Sequence, residues 1–291
     1  MNFLTLKDFD KGFLEETLDL AVKLKANYPN YAQSLKNKTL AMIFMKTSTR
    51  TRTSFEAGMT KLGGHAIFLE SKATNFTLGS LADEASCVSR YADIIMARVF
   101  AQEQVEVIAK SSDVPVINGL SDSFHPCQTL ADLLTIQEKK GDLDGKKLAY
   151  VGDGNNVCNS LIVGCSKLGM DVSVATPKGF EPAEKSSNLQ LTSDPAEAVA
   201  EADVVYTDTW VSMGQEKETE EKMKIFPTFQ VNKELMAKAK LGALFMHCLP
   251  AHRGLEVSDQ VIDSEASVVF DQAENRMHAQ NALILKLLEV E

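Results

Sequence analysis

Short apolar runs alternate with stretches in which apolar residues recur every three or four positions, almost from one end of the chain to the other. The runs at 40–45, 65–69, 93–98 and 114–118, then 147–152, 171–175, 203–207, 243–247 and 267–270, have the length and apolar content of buried strands. Helical patterns lie between most of them, and such alternation predicts an α/β fold of parallel sheets flanked by helices. The first 29 residues read as a polar lead-in and an amphipathic helix, and a long helix is expected from Pro126 to Lys140. The polar stretch EKKGDLDGKK, with two glycines, separates two such α/β sets. It predicts a first domain over 1–137 and a second over 138–291, with a final helix at about 272–289 packing back on the first. The segment 178–194 is too short and polar for a full crossover helix, so one helical unit is expected to be missing or reduced there.

Each polar cluster falls just after a predicted strand. Ser48 to Arg52 follow 40–45, Arg98 ends 93–98, and His125 and Gln128 follow 114–118. In the second set Asn155 and Asn156 follow 147–152, Asp208 follows 203–207 with Ser212 and Met213 beyond it, and Cys248 follows 243–247. In open parallel sheets ligands bind outside the carboxyl ends of the strands. Six such ends predict an active site in a cleft between the two domains, three strands contributing from each.

The turn KTSTRTRTSFEAG is the most informative of these. It leads from a strand into a helical pattern carrying Phe55, Met59 and Leu62. The free N–H groups and positive dipole end of a helix start favour an anion, and Ser48, Thr49, Thr51 and Arg50 add donors that suit a phosphate. A Thr/Ser cap followed by solvated arginines is the ordinary alternative. The chain has no GxxxxGK[ST] loop, which argues against a nucleotide triphosphatase. GDGNN follows a strand but lacks the third glycine of a dinucleotide fingerprint, which argues against a nicotinamide cofactor. The first-domain set, rich in donors and without a carboxylate placed as a base, suits a small phosphorylated molecule whose oxygen gains charge during reaction. The second set, with one carboxylate, an amide, a hydroxyl and a thiol, suits a zwitterionic amine. Asp208 would take its ammonium group; Asn156 and backbone amides would take its carboxylate.

Composition narrows the class without changing this picture. The 291 residues are 44% hydrophobic and 24% charged, as in soluble globular proteins, and no apolar run approaches the about 18 residues that span a membrane. A net charge of −10 argues against general nucleic-acid binding. The five cysteines form no CxxC pair and no zinc-like spacing with histidine. Reduced thiols, a cytoplasmic location and no metal site are therefore expected, with Cys248 alone singled out for function.

Set side by side, FMKTSTRTRTSFEAGMTKLGGHA, ADIIMARVF, PVINGLSDSFHPCQTLADLLTI, YVGDGNNV, DVVYTDTWVSMGQE, FMHCLPAHRG and DQAENRMHAQNAL resemble segments of the aspartate/ornithine carbamoyltransferase family, on its ornithine side. The resemblance implies transfer of a carbamoyl group from carbamoyl phosphate to L-ornithine, with no cofactor and no metal, by a homotrimer or a multiple of trimers. It implies that Ser48, Thr49, Arg50 and Thr51 hold the phosphate, and that Arg98, His125 and Gln128 hold and polarise the carbamoyl group. It assigns Asn156, Asp208, Ser212 and Met213 to ornithine, and Cys248, Leu249 and Arg276 to the reaction centre. One departure stands out: after the second strand, ESKATNFTLGSLADEA lacks the glutamine usual in the ornithine type and carries Lys72. Another amine acceptor, such as an N-acylated ornithine or putrescine, is the alternative that keeps the chemistry, and a catalytically silent paralogue is the one that abandons it.

Overall fold

Four strands, Thr39–Phe44 (β1), His65–Glu70 (β2), Ile94–Arg98 (β3) and Val116–Leu120 (β4), form one sheet in the order β2-β1-β3-β4. Five more, Lys147–Val151 (β5), Asp171–Ala175 (β6), Leu189–Thr192 (β7), Val204–Thr207 (β8) and Leu244–His247 (β9), form a second in the order β7-β6-β5-β8-β9. Every pairing in both sheets is parallel. The computed structural model describes residues 1–211 and 219–290.

Helices connect the strands: Lys11–Ala26 (α1), Thr49–Lys61 (α2), Leu81–Val88 (α3), Gln102–Ser111 (α4), Pro126–Lys140 (α5), Asn156–Lys167 (α6), Pro195–Val199 (α7), Thr219–Ile225 (α8), Lys233–Met236 (α9), Asp259–Ile262 (α10) and Val269–Leu287 (α11). The chain divides into two compact units, Met1–Leu134 with Glu274–Glu291, and Thr135–Ala273. In the first unit Ala41, Ile43, Ile95, Ala97 and Val116 meet Val105 and Ile108 of α4 in a buried cluster. In the second, Val151, Val205 and Phe245 pack with Trp210, Phe226 and Val231. Central strands buried on both faces read as unbroken apolar runs, which is why β1, β3 and β5 were legible within one or two residues.

One expectation needs correction, and one strand was not anticipated. The run at 267–270 is not a strand: only Ser267 bridges to Phe245, and Val269 already opens α11. A four-residue apolar run does not by its period distinguish a strand from a buried helix start, and here Val268 and Val269 are buried at that start. The segment 178–194 carries no helix between β6 and β7, in line with its composition, but it does contain β7. This edge strand is only partly covered, with Gln190 and Leu191 exposed. Without two buried faces it lacked the apolar signature that marked its neighbours.

The parallel topology places the chemistry. In the first sheet the carboxyl ends of adjacent strands β1, β3 and β4 lead into the Ser48 turn, Arg98 and the His125 turn. In the second, the ends of adjacent β5, β8 and β9 lead into GDGNN, Asp208 and Cys248. The strand order reverses direction between β1 and β3 and between β5 and β8, the switch points where ligands bind in such sheets.

Candidate active site

In the first unit, Ser48 stands in extended backbone as the N-cap of α2. Its Oγ accepts from the Thr51 N–H at 3.2 Å and donates to Thr51 Oγ1 at 3.1 Å. The cap satisfies one of the orphan donors of the first turn, and a helix start of this kind favours an anion. Arg52, two residues beyond Arg50, is turned to other work. Its Nε donates to Glu56 at 2.9 Å and its guanidinium lies 3.8 Å from the Phe68 ring centre.

Arg98 ends β3 beside a register shift in its pairing with β4 and is buried. Bulges of this kind re-aim side chains at functional sites. His125, also buried, sits directly before Pro126 at the start of α5. Burial, and then the positive charges of Arg276, Arg98 and Arg50, hold its imidazole well below the usual histidine range. The ring is therefore neutral near pH 7, with one N–H to donate, and three guanidinium groups are close enough to keep it so.

Arg276, on α11, binds this set together. Its Nη1 donates to Gln128 Oε1 at 2.7 Å and its Nη2 to Thr51 Oγ1 at 3.3 Å. With the Gln280 amide oriented to match donors with acceptors, that side chain accepts from Arg276 Nε and Nη2 and donates to Ser54 Oγ at 2.8 Å. The Gln128 Nε2 in turn donates to Asp132 Oδ1 at 2.8 Å, one turn further along α5.

In the second unit, Asn155 caps α6: its Oδ1 accepts from the N–H groups of Val157 at 3.0 Å and Cys158 at 3.2 Å. Its Nδ2 donates to Asp208 Oδ2 at 2.7 Å. The other Asp208 oxygen accepts from the Thr209 N–H at 2.8 Å and from the Cys248 thiol at 3.0 Å. Asn156 is the first residue of α6 and is half-buried. Leu249 adopts the left-handed region (φ 58°), a cost for a residue with a branched side chain. Its N–H donates to His247 Nδ1 at 2.8 Å, and the opposite ring nitrogen lies 3.2 Å from Glu256 Oε1. Glu256 is fully buried. Burial pushes its carboxyl up, but hydrogen bonds led by the one from His247 outweigh this and hold it below the usual carboxylate range.

The description "Aspartate/ornithine carbamoyltransferase, carbamoyl-P binding domain" matches residues 1–138, and "Aspartate/ornithine carbamoyltransferase, Asp/Orn binding domain" matches residues 144–287. The chain belongs to the aspartate/ornithine carbamoyltransferase family. It is 57% identical to an ornithine carbamoyltransferase of Pyrococcus abyssi, over 99% of this chain and 95% of that one. It is 52% identical to one of Carboxydothermus hydrogenoformans, over 99% and 97% of the two chains. The solved structure of ornithine carbamoyltransferase from Pyrococcus furiosus superposes with a TM-score of 0.93 at 52% identity, covering 98% of this chain and 96% of that one.

Among the residues singled out from the sequence, the structure gathers Ser48, Thr51, Gln128 and Arg276 into one hydrogen-bonded chain, with His125 under the field of Arg50, Arg98 and Arg276. It joins Asp208 to Cys248 directly. Thr49 is exposed on the first turn of α2. Ser212 and Met213 lie outside the described residues. Asn155 stands out in the sequence at its strand end but is given no role there, and Asp132 and Glu256 do not stand out: Asp132 lies inside HPCQTLAD, and nothing in HRGLE marks its glutamate.

Among the described residues, Asp208, His247 and Cys248 bring potential metal-ligand atoms within 4.8 Å of one another. Both ring nitrogens of His247 are already engaged, and Asp208 and Cys248 bond each other. The set is arranged to hold a turn and orient a carboxylate, and a metal would compete with one of the His247 bonds and with the bond between Cys248 and Asp208.

Proposed function

We propose that this family member transfers the carbamoyl group of carbamoyl phosphate to the δ-amine of L-ornithine, giving L-citrulline and phosphate. The observation that carries the reading is a neutral, buried His125 under the field of three guanidinium groups, next to a helix start lined with hydroxyls. A dianionic phosphate calls for the cations and the helix start; a carbonyl oxygen gaining charge calls for a neutral N–H and a guanidinium. Donors of this kind are worth on the order of 10²–10³ in rate each.

In this reading Ser48, Thr49, Arg50 and Thr51 hold the phosphate, and Arg98, His125, Gln128 and Arg276 hold the carbamoyl group. Asn156, Asp208, Ser212 and Met213 bind ornithine, with Asp208 taking an ammonium group, and Cys248 and Leu249 line the reacting centre. The neutral δ-amine forms the new N–C bond as the bond from carbon to the bridging oxygen breaks, and the amine's surplus proton ends on the departing phosphate. Nothing is oxidised or reduced, so the step balances without a cofactor. The resemblance also supports a homotrimer, or a multiple of one, working in the cytoplasm in arginine metabolism.

The test is phosphate release from carbamoyl phosphate by the purified protein, with L-ornithine, N-acetyl-L-ornithine, putrescine and L-aspartate supplied separately. Release with ornithine, matched one for one by citrulline, is the expected result. Release with another amine alone would reassign the acceptor, and silence with all four would overturn the reading. Sedimentation equilibrium at three times the chain mass of 31.9 kDa would support the trimer, and a monomer would remove it.

A further inference from the structure

Gln102, Asn118 and Ser121 have no part in the reading above, yet their side chains meet where β3 and β4 end. Ala97 pairs with Asn118 and Arg98 with Leu120, so Gly119 is an extra residue in β4 beside Arg98. A Cβ on Gly119 would lie 2.4 Å from Met96 Sδ, so the bulge is packed too tightly for a side chain. The chain then bends through 121–124 and reaches His125. Arg98 therefore leaves its strand beside a bulge, and His125 leaves a bend shortly after it. Both departures are local irregularities, so the placement of one against the other needs a further constraint.

Ser121 closes that bend. Its N–H donates to the Phe124 carbonyl at 2.9 Å, and its Oγ accepts from the Phe124 N–H at 3.0 Å. The hydroxyl hydrogen goes to Gln102 Oε1 at 2.6 Å, nearer than the Phe124 carbonyl at 3.3 Å. Gln102 Oε1 also accepts from Asn118 Nδ2 at 3.3 Å, and that nitrogen donates to the Leu4 carbonyl at 3.0 Å. One oxygen, using both its lone pairs, grips the chain before the bulge and after it. Gln102 is 8% exposed and the other two are fully buried, so bulk water cannot replace a lost partner. Backbone bonds from Val99 to Leu120, and from Asp122 to Phe100, register the two segments as far as Asp122. The Ser121 hydroxyl carries that register on to the Phe124 N–H, next to His125.

We propose that Gln102 is a positioning residue for the transfer: its side-chain oxygen, holding the chain on both sides of the bulge, sets the spacing of His125 from Arg98. The inference rests on the carbamoyl phosphate reading above, in which those two groups hold the carbamoyl group together. Two donors can stabilise charge on one group only if both reach it at once. Misplacing a catalytic group by about 1 Å can cost on the order of 10² in rate, even when the change lies away from the chemistry. Gln102 touches neither substrate nor reacting atoms in this account. It acts through Ser121 and the bend.

Steady-state kinetics with both substrates, beside urea denaturation, are measured on the whole wild-type protein and on Q102M, Q102E, S121A and Q102M/S121A. Q102M keeps the size of the side chain and removes the acceptor, whereas Q102E keeps an acceptor in the same place. Q102M and S121A should each lower kcat/KM for carbamoyl phosphate about tenfold or more, with the ornithine KM moving less than about twofold. Q102E should recover most of that loss. Because both single variants break the same bond, the double variant should lose little more than either alone. A network that only stabilises the fold would shift the urea midpoint and leave the kinetic constants of the folded protein unchanged.

A Q102M protein with wild-type kcat/KM for carbamoyl phosphate would overturn the proposal, as would Q102E no better than Q102M. If Q102M fails to fold, S121A decides, since it breaks the same link from the other end. The same split between the two substrates in S121A supports the proposal, and its absence there overturns it. With an active wild type, any of the overturning results sinks this inference alone. A wild type that makes no citrulline would take the carbamoyl phosphate reading down with it.

Discussion

The side-chain amide of Asn155 donates to Asp208 Oδ2 at 2.7 Å while its oxygen caps helix α6. One residue thus joins the turn after β5 to the end of β8, and fixes the direction in which Asp208 presents its charge. Asn155→Ala should lose about 1 kcal/mol from the missing cap, and raise the KM for ornithine roughly tenfold by freeing a carboxylate that lost a charge-assisted bond. The KM for carbamoyl phosphate should not move. Asn155→Asp separates the two effects, because aspartate caps well but faces Asp208 with like charge. Steady-state kinetics beside urea denaturation should show stability recovered and ornithine KM still high; an unchanged ornithine KM in both variants would remove Asn155 from the amine side.

The neutral state of His125 has a consequence for stability. Its folded pKa lies well below the ordinary 6.5, chiefly from burial and then from Arg276, Arg98 and Arg50. Below 6.5 the unfolded chain takes up a proton that the folded protein refuses, so protonation favours unfolding. The contribution is complete above pH 6.5 and is lost as pH falls toward the folded value. His125→Asn has nothing to titrate there. The difference in unfolding free energy between wild type and this variant should be flat above pH 6.5. Below it, wild type should lose ground by at most about 1.4 kcal/mol per pH unit. Urea titrations at several pH values on both sides of 6.5 test this, and a difference constant across the range would mean that His125 is not held neutral.

The architecture was legible because parallel strands buried on both faces leave unbroken apolar runs, and because chemistry at their ends falls at fixed points in the alternation. That was enough to place Ser48, Arg98, His125, Asp208 and Cys248 at or just after strand ends. The edge strand β7 escaped because it lacks two covered faces. Asp132 and Glu256 escaped for another reason. Each is hydrogen-bonded to a partner, Gln128 or His247, and such pairings depend on which side chains the fold brings within 3 Å or so. A carboxylate four residues after a glutamine on a helix, or nine after a histidine across a turn, is indistinguishable in sequence from a solvated one.

Gly154 is needed for space. A Cβ there would run into the Pro182 nitrogen and lie 2.5 Å from the Phe180 carbonyl oxygen, both backbone atoms that cannot rotate away. The Gly154 N–H already donates to that carbonyl at 2.9 Å. Gly154→Ala must therefore move the loop that covers the GDGNN turn, at about 1–3 kcal/mol. Gly79, with nothing within 4 Å of its own added Cβ, is the control and should change by less than about 0.5 kcal/mol. Thermal unfolding of the two variants should separate them by several degrees, and equal melting temperatures would mean that the loop yields freely.

Lys222 is the most buried lysine among the described residues of the second unit, at 1% exposure on α8, and its Nζ donates to Asp153 Oδ2 at 2.7 Å. The rings of Phe180 and Phe226 lie 5.4 and 6.0 Å from the same nitrogen. The pair thereby fastens α8 to the turn that presents Asn155 and Asn156. Taking two charges out of water costs nearly as much as their attraction returns, so the pair adds little net stability, yet removing one partner strands the other. Lys222→Met should lose about 3–5 kcal/mol and raise the ornithine KM, because removing the buried cation leaves the Asp153 charge less compensated and shifts the turn it stands on. The double variant K222M/D153N removes both charges and should recover most of the stability, with the ornithine KM returning only as far as the turn does. A double-mutant cycle on unfolding free energy measures the coupling directly. Additive losses would show that Lys222 and Asp153 act independently.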